Sequence, residues 1–176
     1  MEPLKAPLKL KDSAKKGPVA DTFTWKWDKG ASTELVAFGD PTTTDGLALC
    51  LFDRSQATPS LLFRAAVAPG GNCGTATKPK ACWVGNGKNF KFKNKAGNAE
   101  GVTSVVLTPG AGGEAKVQLK AKGVGLTNHP FGMPSPPLPL PFTVQLQSDN
   151  GQCWEATYSA AGVKKNVGET FNGKAD

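Results

Sequence analysis

Four cysteines and a single histidine are the residues of this chain best suited to chemistry. Cys50, Cys73, Cys82 and Cys153 show no C-x-x-C spacing, so the sequence contains neither a zinc ribbon nor a thioredoxin-type redox pair. An even number of widely spaced cysteines among short β-type segments indicates two disulfides and an oxidising compartment. We therefore expect an extracellular, periplasmic or cell-surface location.

The expected pairing is Cys73–Cys82 together with Cys50–Cys153, although the sequence alone leaves three connectivities open. The first bridge closes a loop of about ten residues and the second a loop of about a hundred, which the chain-entropy model values at ~3 and ~5 kcal/mol. The alternation of apolar and polar residues in 47–52 and 153–158 places Cys50 and Cys153 on the outward side of a sheet. Both cysteines are thus predicted to share one face.

Few other residues suggest catalysis. A serine or cysteine nucleophile needs a base, but His129 lies in an Asn-His-Pro loop sequence and the chain has no G-x-S-x-G element. Paired carboxylates for glycoside hydrolysis have no local signature. Residues 40–46 fit a turn or an oxygen-rich calcium loop, without the regular acidic spacing and distal glutamate of the latter. We predict a non-catalytic protein with no metal and no cofactor.

An aromatic stripe is the remaining candidate for ligand binding. Phe23, Trp25 and Trp27 alternate with polar residues, so they share one face of a predicted strand, while Lys26 and Asp28 share the other. The stripe suits a hydrophobic core, and continuation through Phe23 favours that interpretation. The alternative is a platform for stacking sugar rings, with Lys26 and Asp28 near its edge. Under that alternative, Trp25, Trp27, Lys26 and Asp28 would bind an extracellular polysaccharide.

The charge balance points to a second kind of surface. The net charge is +7, and Arg54 and Arg64 are the only arginines among 21 basic residues. Recognition of bases and phosphates relies on bidentate arginine, so we do not expect a nucleic-acid partner. Lysines alternate with apolar residues in 8–11, 90–93 and 117–122. This period of two predicts a solvated strand face, or a cationic surface for an anionic polymer or a membrane.

Short apolar or alternating segments separated by Gly, Pro, Asn and Asp predict an all-β chain. We expect a single domain, 1–176, folded as a disulfide-reinforced, two-sheet antiparallel β-sandwich of about 8–10 short strands. Residues 130–141 are half proline, so they are predicted to run as a polyproline crossover between the sheets. The predicted strands are 5–11, 23–27, 46–53, 60–68, 81–84, 89–93, 102–108, 115–121, 142–148 and 152–158.

The hairpin of 142–148 and 152–158 can be assigned a register. A two-residue turn would mix apolar and polar residues on both faces. A three-residue loop closed by Gly151 in the left-handed region pairs Leu146 with Trp154 and places apolar residues on one face. We therefore predict the three-residue loop, with Trp154 in the core and Cys153 facing outward.

The sequence contains no run of about 18 apolar residues, so we expect no transmembrane segment. Residues 1–3 lack the charged and apolar regions of a signal peptide. We expect Met1 to be a start residue placed where a leader was removed.

Two stretches carry a resemblance. Residues 99–110, continuing into 116–123, and residues 138–141, leading into 153–156, together resemble segments of uncharacterised secreted bacterial β-rich proteins. The resemblance covers about a third of the chain and implies a secreted compartment and a β-rich fold, but no mechanism.

These expectations combine into a non-catalytic secreted or cell-surface module that binds extracellular glycan. The alternative is a structural subunit that pairs with like subunits through sheet edges or donates the segment Leu4–Leu10 as a strand. A hydrolytic enzyme is the third hypothesis.

Overall fold

Two antiparallel β-sheets pack against each other in the computed structural model, which describes residues 3–176. The fold confirms the predicted disulfide-reinforced, two-sheet sandwich. It has more strands than predicted, namely β1 (Pro3–Lys5), β2 (Pro7–Lys11), β3 (Thr22–Gly30), β4 (Leu47–Asp53), β5 (Ser60–Val67), β6 (Trp83–Gly85), β7 (Phe90–Lys93), β8 (Val102–Thr108), β9 (Ala115–Lys122), β10 (Phe142–Ser148), β11 (Cys153–Tyr158), β12 (Val163–Val167) and β13 (Thr170–Lys174).

The two sheets differ in size. The large sheet has nine strands in the order β12-β13-β2-β3-β9-β8-β7-β6, with β1 paired to the far end of β3. The small sheet has the order β11-β10-β4-β5. Short 3-10 turns lie at 18–20, 35–38, 124–126 and 160–162, and residues 3–176 contain no α-helix. No helix in this range is long and apolar enough to cross a membrane.

Strands β12 and β13 were not predicted. Their sequences, Val-Lys-Lys-Asn-Val and Thr-Phe-Asn-Gly-Lys, lack a sustained alternation of apolar residues. They join the large sheet because β13 pairs along its whole length with β2. The one aromatic residue of β13, Phe171, is buried in the core.

The core lies between the sheets because each strand alternates one apolar and one polar face. In the large sheet, registered neighbours form a continuous buried row across five strands, from β2 to β7. This row consists of Leu8, Trp25, Leu119, Val105 and Phe92.

Aromatic residues of the two sheets meet in this core. Phe23 of β3 lies 5.2 Å from Phe63 of β5, and Phe171 of β13 lies 5.2 Å from Phe142 of β10, both measured between ring centroids. Aromatic pairs at such distances add ~0.5–1.5 kcal/mol to the free energy gained from burial. The contacts therefore hold both β3 and β13 against the small sheet.

A chain of two hydrogen bonds also joins the sheets. The Nε1 of Trp25 donates to the hydroxyl of Tyr158 at 3.0 Å, and this hydroxyl donates to the carbonyl of Ala6 at 2.9 Å. All three residues are fully buried. Burial raises the pKa of Tyr158, although its hydrogen bond with Trp25 opposes the shift, so the phenol is protonated at neutral pH.

The β10–β11 hairpin confirms the predicted three-residue loop. Leu146 pairs with Trp154, and the loop residue Gly151 has φ = 87°, the left-handed conformation that glycine adopts at little cost. Trp154 is fully buried, whereas Cys153 faces outward. The local segregation of apolar and polar residues was therefore sufficient to predict the register.

The cysteine prediction was half right. Cys73 and Cys82 form a disulfide with a Cα–Cα distance of 4.8 Å, but Cys50 and Cys153 are free. They share the outward face of the small sheet, as predicted, but β10 lies between their strands, with Gln145 opposite Cys50 and Gln147 opposite Cys153. Two strand spacings amount to about 10 Å, beyond the ~7 Å between Cα atoms that a disulfide can bridge.

The proline-rich segment 130–141 connects β9 and the 3-10 turn at 124–126, on the side of the large sheet, with β10 of the small sheet. It is anchored by buried Leu138, whose backbone bonds to Asn166 of edge strand β12. The Leu138 N–H donates to Asn166 Oδ1, and the Leu138 carbonyl accepts from Asn166 Nδ2. Near its start, the carbonyl of Phe131 accepts from the N–H of Arg64 and covers part of the β5 edge.

We predict two free thiols. Alkylation of the unreduced, denatured protein should modify Cys50 and Cys153 and leave Cys73 and Cys82 unmodified, as read by peptide mass spectrometry. In the native protein alkylation should be slow, because burial raises the pKa of both free thiols and so lowers the thiolate fraction. The absence of any alkylated cysteine would contradict the strand order.

We also predict that Tyr158→Phe destabilises the protein by ~1–3 kcal/mol, because Trp25 Nε1 loses its buried acceptor, whereas the Ala6 carbonyl keeps the N–H of Ala175. Urea unfolding measures the change in the free energy of unfolding. Thr22→Val, which removes an exposed hydroxyl from β3, is the control and should change stability by less than ~0.5 kcal/mol. Equal effects of the two substitutions would contradict the role of the tyrosine hydroxyl.

Candidate anion-binding face

The residues nominated from sequence lie on opposite sides of the large sheet. Trp25 and Trp27 are fully buried and face the small sheet, so neither can stack on a polysaccharide. The nomination of these two tryptophans as ligand-binding residues is wrong, and the core interpretation of the stripe is confirmed. Lys26 is exposed and Asp28 is half-buried on the outward side.

The outward side of the large sheet is almost uniformly cationic. Within the described residues, every charged residue of its nine strands except Asp28 is a lysine. Burial of the apolar partners forces these lysines outward, because successive side chains of a strand point to opposite faces. We call this surface the lysine face; it comprises Lys5, Lys9, Lys11, Lys26, Lys91, Lys93, Lys116, Lys120, Lys122, Lys165 and Lys174.

A groove of about 540 Å³ crosses the middle of the lysine face. Strands β2, β3 and β9, which are neighbours in the sheet, supply most of its lining. Among residues 3–176, no acidic residue lines the groove, and its four ammonium groups have no carboxylate within this lining. Its residues are Lys5, Pro7, Lys9, Thr24, Lys26, Gln118 and Lys120.

The single acidic residue of the lysine face is already engaged. Asp28 Oδ1 lies 3.6 Å from Lys116 Nζ and accepts a hydrogen bond from the N–H of Lys29. The ion pair is partly exposed and therefore worth little in stability. Asp28 neutralises the charge of Lys116 near one end of β3. It does not line the groove, which remains cationic.

The outward side of the small sheet has a different character. Its strands contain no lysine among the described residues, and their charged residues are Asp53, Arg64 and Glu155. Amide groups bond to one another there: Gln147 Nε2 donates to Gln145 Oε1, and Gln145 Nε2 donates to Glu155 Oε2, both at 2.8 Å. The two faces of the sandwich therefore differ sharply in charge.

The acidic loop 40–46 folds as a turn held by its own threonines. Asp40 accepts hydrogen bonds from the side chains of Thr42 and Thr43, and Asp45 accepts one from Thr44. These hydroxyl bonds hold the pKa of both carboxyls below its ordinary value. Within residues 3–176 no group of three or more His, Cys, Asp or Glu side chains is arranged to hold a metal ion.

His129 lies beside an aromatic ring. Its imidazole is 6.2 Å from the ring of Phe63, and its buried Nε2 has no hydrogen-bond partner in the described part of the chain. Glu100 accepts a hydrogen bond from the N–H of Ala66 at 2.6 Å and pairs with Arg64, so this carboxylate ties the loop before β8 to β5.

The N-terminal segment Leu4–Leu10 lies within its own sheet. Strand β2 pairs with β3 on one side and with β13 on the other, and β1 pairs with β3. Strand β2 thus occupies an interior position of the large sheet and β1 is paired on one side, so the segment is not detached for donation to a neighbouring subunit.

The sequence contained the signal for the lysine face, namely the alternation of lysine with apolar residues in 8–11 and 117–122. It did not indicate that β2 and β9 flank β3, because that adjacency depends on long-range pairing. Of the nominated residues, only Lys26 belongs to the groove; Lys9 and Lys120 were not nominated.

No protein-family model, curated protein or solved structure matches this chain.

We predict that Trp25→Ala lowers the free energy of unfolding by ~3–5 kcal/mol, as expected for a large-to-small change in a core. Lys26→Ala, at the next position on the opposite face, is the control and should cost less than ~0.5 kcal/mol. Urea unfolding measures both. A loss below ~1 kcal/mol for Trp25→Ala, together with iodide quenching of wild-type fluorescence that the variant no longer shows, would place Trp25 at the surface.

Proposed function

We propose that this protein is a non-catalytic extracellular module that binds an anionic polysaccharide on its lysine face. The observation that carries the proposal is the distribution of charge. Lysines cover the outward side of the large sheet and line a groove to which residues 3–176 contribute no acidic side chain, whereas the strands of the small sheet carry no lysine. A surface that needed only solubility would be served equally well by interspersed acidic residues.

The disulfide supports an extracellular partner. Cys73 and Cys82 form their bond across a lysine-containing loop that is largely exposed. Disulfides persist in oxidising compartments and are rare where glutathione keeps thiols reduced. Polysaccharides carrying carboxylate or sulfate groups are the anionic polymers that suit such a location.

The composition of the lysine face favours a glycan over a nucleic acid. The face has no arginine for bidentate contact with bases or phosphates, and its outward strand positions hold mainly lysine, threonine, serine, asparagine and glutamine, besides Pro7, Asp28 and Val106. Stacking of single-stranded bases requires exposed aromatic rings, whereas the aromatic residues of β3 face the core. Hydroxyl and amide side chains beside lysines suit sugar hydroxyls beside acidic groups.

Binding would be electrostatic and sensitive to salt. The ammonium groups are exposed on flexible stems, so each contact with a carboxylate or sulfate contributes ~0.2–1 kcal/mol and is screened at high ionic strength. Several such contacts along one polymer add up, because later contacts form within an already bound chain.

A charge-reversal experiment tests the proposal. Affinity electrophoresis in gels containing heparin, hyaluronan or neutral dextran compares the wild-type protein with Lys9→Glu, Lys120→Glu, which alters the groove. We expect retention by the acidic polymers only, and a loss of about tenfold or more in affinity for the variant.

The matched control is Lys78→Glu, Lys80→Glu, which makes the same charge change on exposed residues of the disulfide loop. It should keep most of the affinity. Equal losses in both variants would reduce the effect to net charge and contradict a defined face. Failure of the wild-type protein to bind either acidic polymer at low salt would refute the proposal, and tighter binding to duplex DNA would change the partner class.

A further inference from the structure

The lysines of the lysine face are in register across the large sheet. One row of paired residues runs from β13 to β7 and alternates a lysine with a neutral polar residue at every step. Beyond its β13 end, Lys165 of β12 continues the alternation. The row consists of Asn172, Lys9, Thr24, Lys120, Ser104 and Lys93.

A second row repeats the pattern on the three central strands. Lys11 of β2 pairs with Thr22 of β3, which pairs with Lys122 of β9. Strands β2 and β9 therefore each present two lysines, and β3 between them presents two threonines in these rows. Lys26 is the one lysine of β3 near these rows, and it lies in the adjacent row. That row runs from Lys26 through Gln118 and Val106 to Lys91, so it does not alternate a lysine with a polar residue at every strand.

The spacing between strands sets the distance between successive lysines of a row. Neighbouring strands are ~4.8 Å apart, so lysine stems on every second strand are about 10 Å apart along the row. One sugar ring of an extended 1,4-linked chain advances by about the width of one strand. A polysaccharide laid across the strands would thus place successive sugars over a lysine and a hydroxyl or amide in turn.

Avoidance of repulsion accounts for only part of the pattern. Like charges directly opposite on neighbouring strands are destabilising, which favours a neutral residue between two lysines. An acidic residue in the same place would remove the repulsion and add attraction. The rows contain threonine, serine and asparagine there instead, so the lysines of these two rows have no ion-pair partner within residues 3–176.

We propose that the lysine face selects a linear polysaccharide with one acidic group per disaccharide, bound across the strands of the large sheet. This inference rests on the proposed function and specifies its ligand. The lysines contact the acidic sugars, and Thr24, Ser104 and Asn172 exchange hydrogen bonds with the neutral sugars between them.

The test exchanges two paired residues without changing the net charge. Lys9→Thr, Thr24→Lys moves one lysine by a single strand and places it directly opposite Lys120. The probes are hyaluronan oligosaccharides, with one carboxylate per disaccharide, and oligogalacturonates, with one carboxylate per sugar, matched in number of charges. Isothermal titration at low salt measures both affinities.

We expect the wild-type protein to prefer the hyaluronan oligosaccharides by about fivefold or more, and the exchanged variant to lose this preference while still binding oligogalacturonate. Thr77→Lys, Lys78→Thr is the matched control, since it moves a lysine by one position within the exposed disulfide loop, away from the lysine face, and leaves the net charge unchanged. It should keep the preference.

The outcomes separate the two proposals. Binding of both probes with equal affinity, unchanged by Lys9→Thr, Thr24→Lys, would overturn the spacing inference and leave the anionic-glycan function standing. Binding of neither probe would overturn both. If that variant fails to fold, as judged by circular dichroism, Lys93→Ser, Ser104→Lys makes the same exchange at the other end of the row and decides the question.

Discussion

The buried hydrogen bond between Trp25 and Tyr158 fixes the position of one sheet over the other. It is a polar contact in a largely apolar core. The tyrosine hydroxyl, which accepts from Trp25 Nε1, in turn donates a hydrogen bond to the carbonyl of Ala6. Buried donors and acceptors cost 1–3 kcal/mol each when they lose a partner, so the two sheets cannot slide or rotate without breaking this chain of bonds. The alternation of apolar residues determines which side of each sheet is inward, and the hydrogen bonds hold the two inward sides in one relative position.

The functional asymmetry of the molecule follows from that orientation. Once Trp25 and Trp27 are in the core, the alternation of β3 sends Thr24 and Lys26 outward. The same parity in β2 and β9 sends their lysines outward as well, and the pairing of these three strands gathers the positive charge on one surface. The core and the lysine face are therefore two consequences of one pattern.

The small sheet shows how the same geometry serves a different surface. Its central strand β10 carries Gln145 and Gln147 outward, and these amides bond to each other and to Glu155. The free thiols of Cys50 and Cys153 lie on either side of this strand, separated by it. A sheet face that satisfies its own polar groups offers little unpaired charge to a ligand, in contrast to the lysine face.

Local sequence was enough for the short-range features. The parity of apolar residues predicted most strands, the β10–β11 register through Leu146 and Trp154, and the outward direction of both free cysteines. The ten-residue region around Cys73 and Cys82 was likewise predictable as a bridged loop. Strands β12 and β13 escaped prediction because they gain their order from pairing with β2 and with each other, not from their own hydrophobic pattern.

Only the tertiary structure decided which strands are neighbours, and this decided the site. The sequence by itself determined an all-β chain with lysines on alternate positions, because a period of two is a local property of each strand. It could not determine that β10 separates Cys50 from Cys153, or that β3 lies between two lysine-bearing strands. Strand order depends on contacts between residues distant in sequence, whose free energy is gained only when both sheets form and pack.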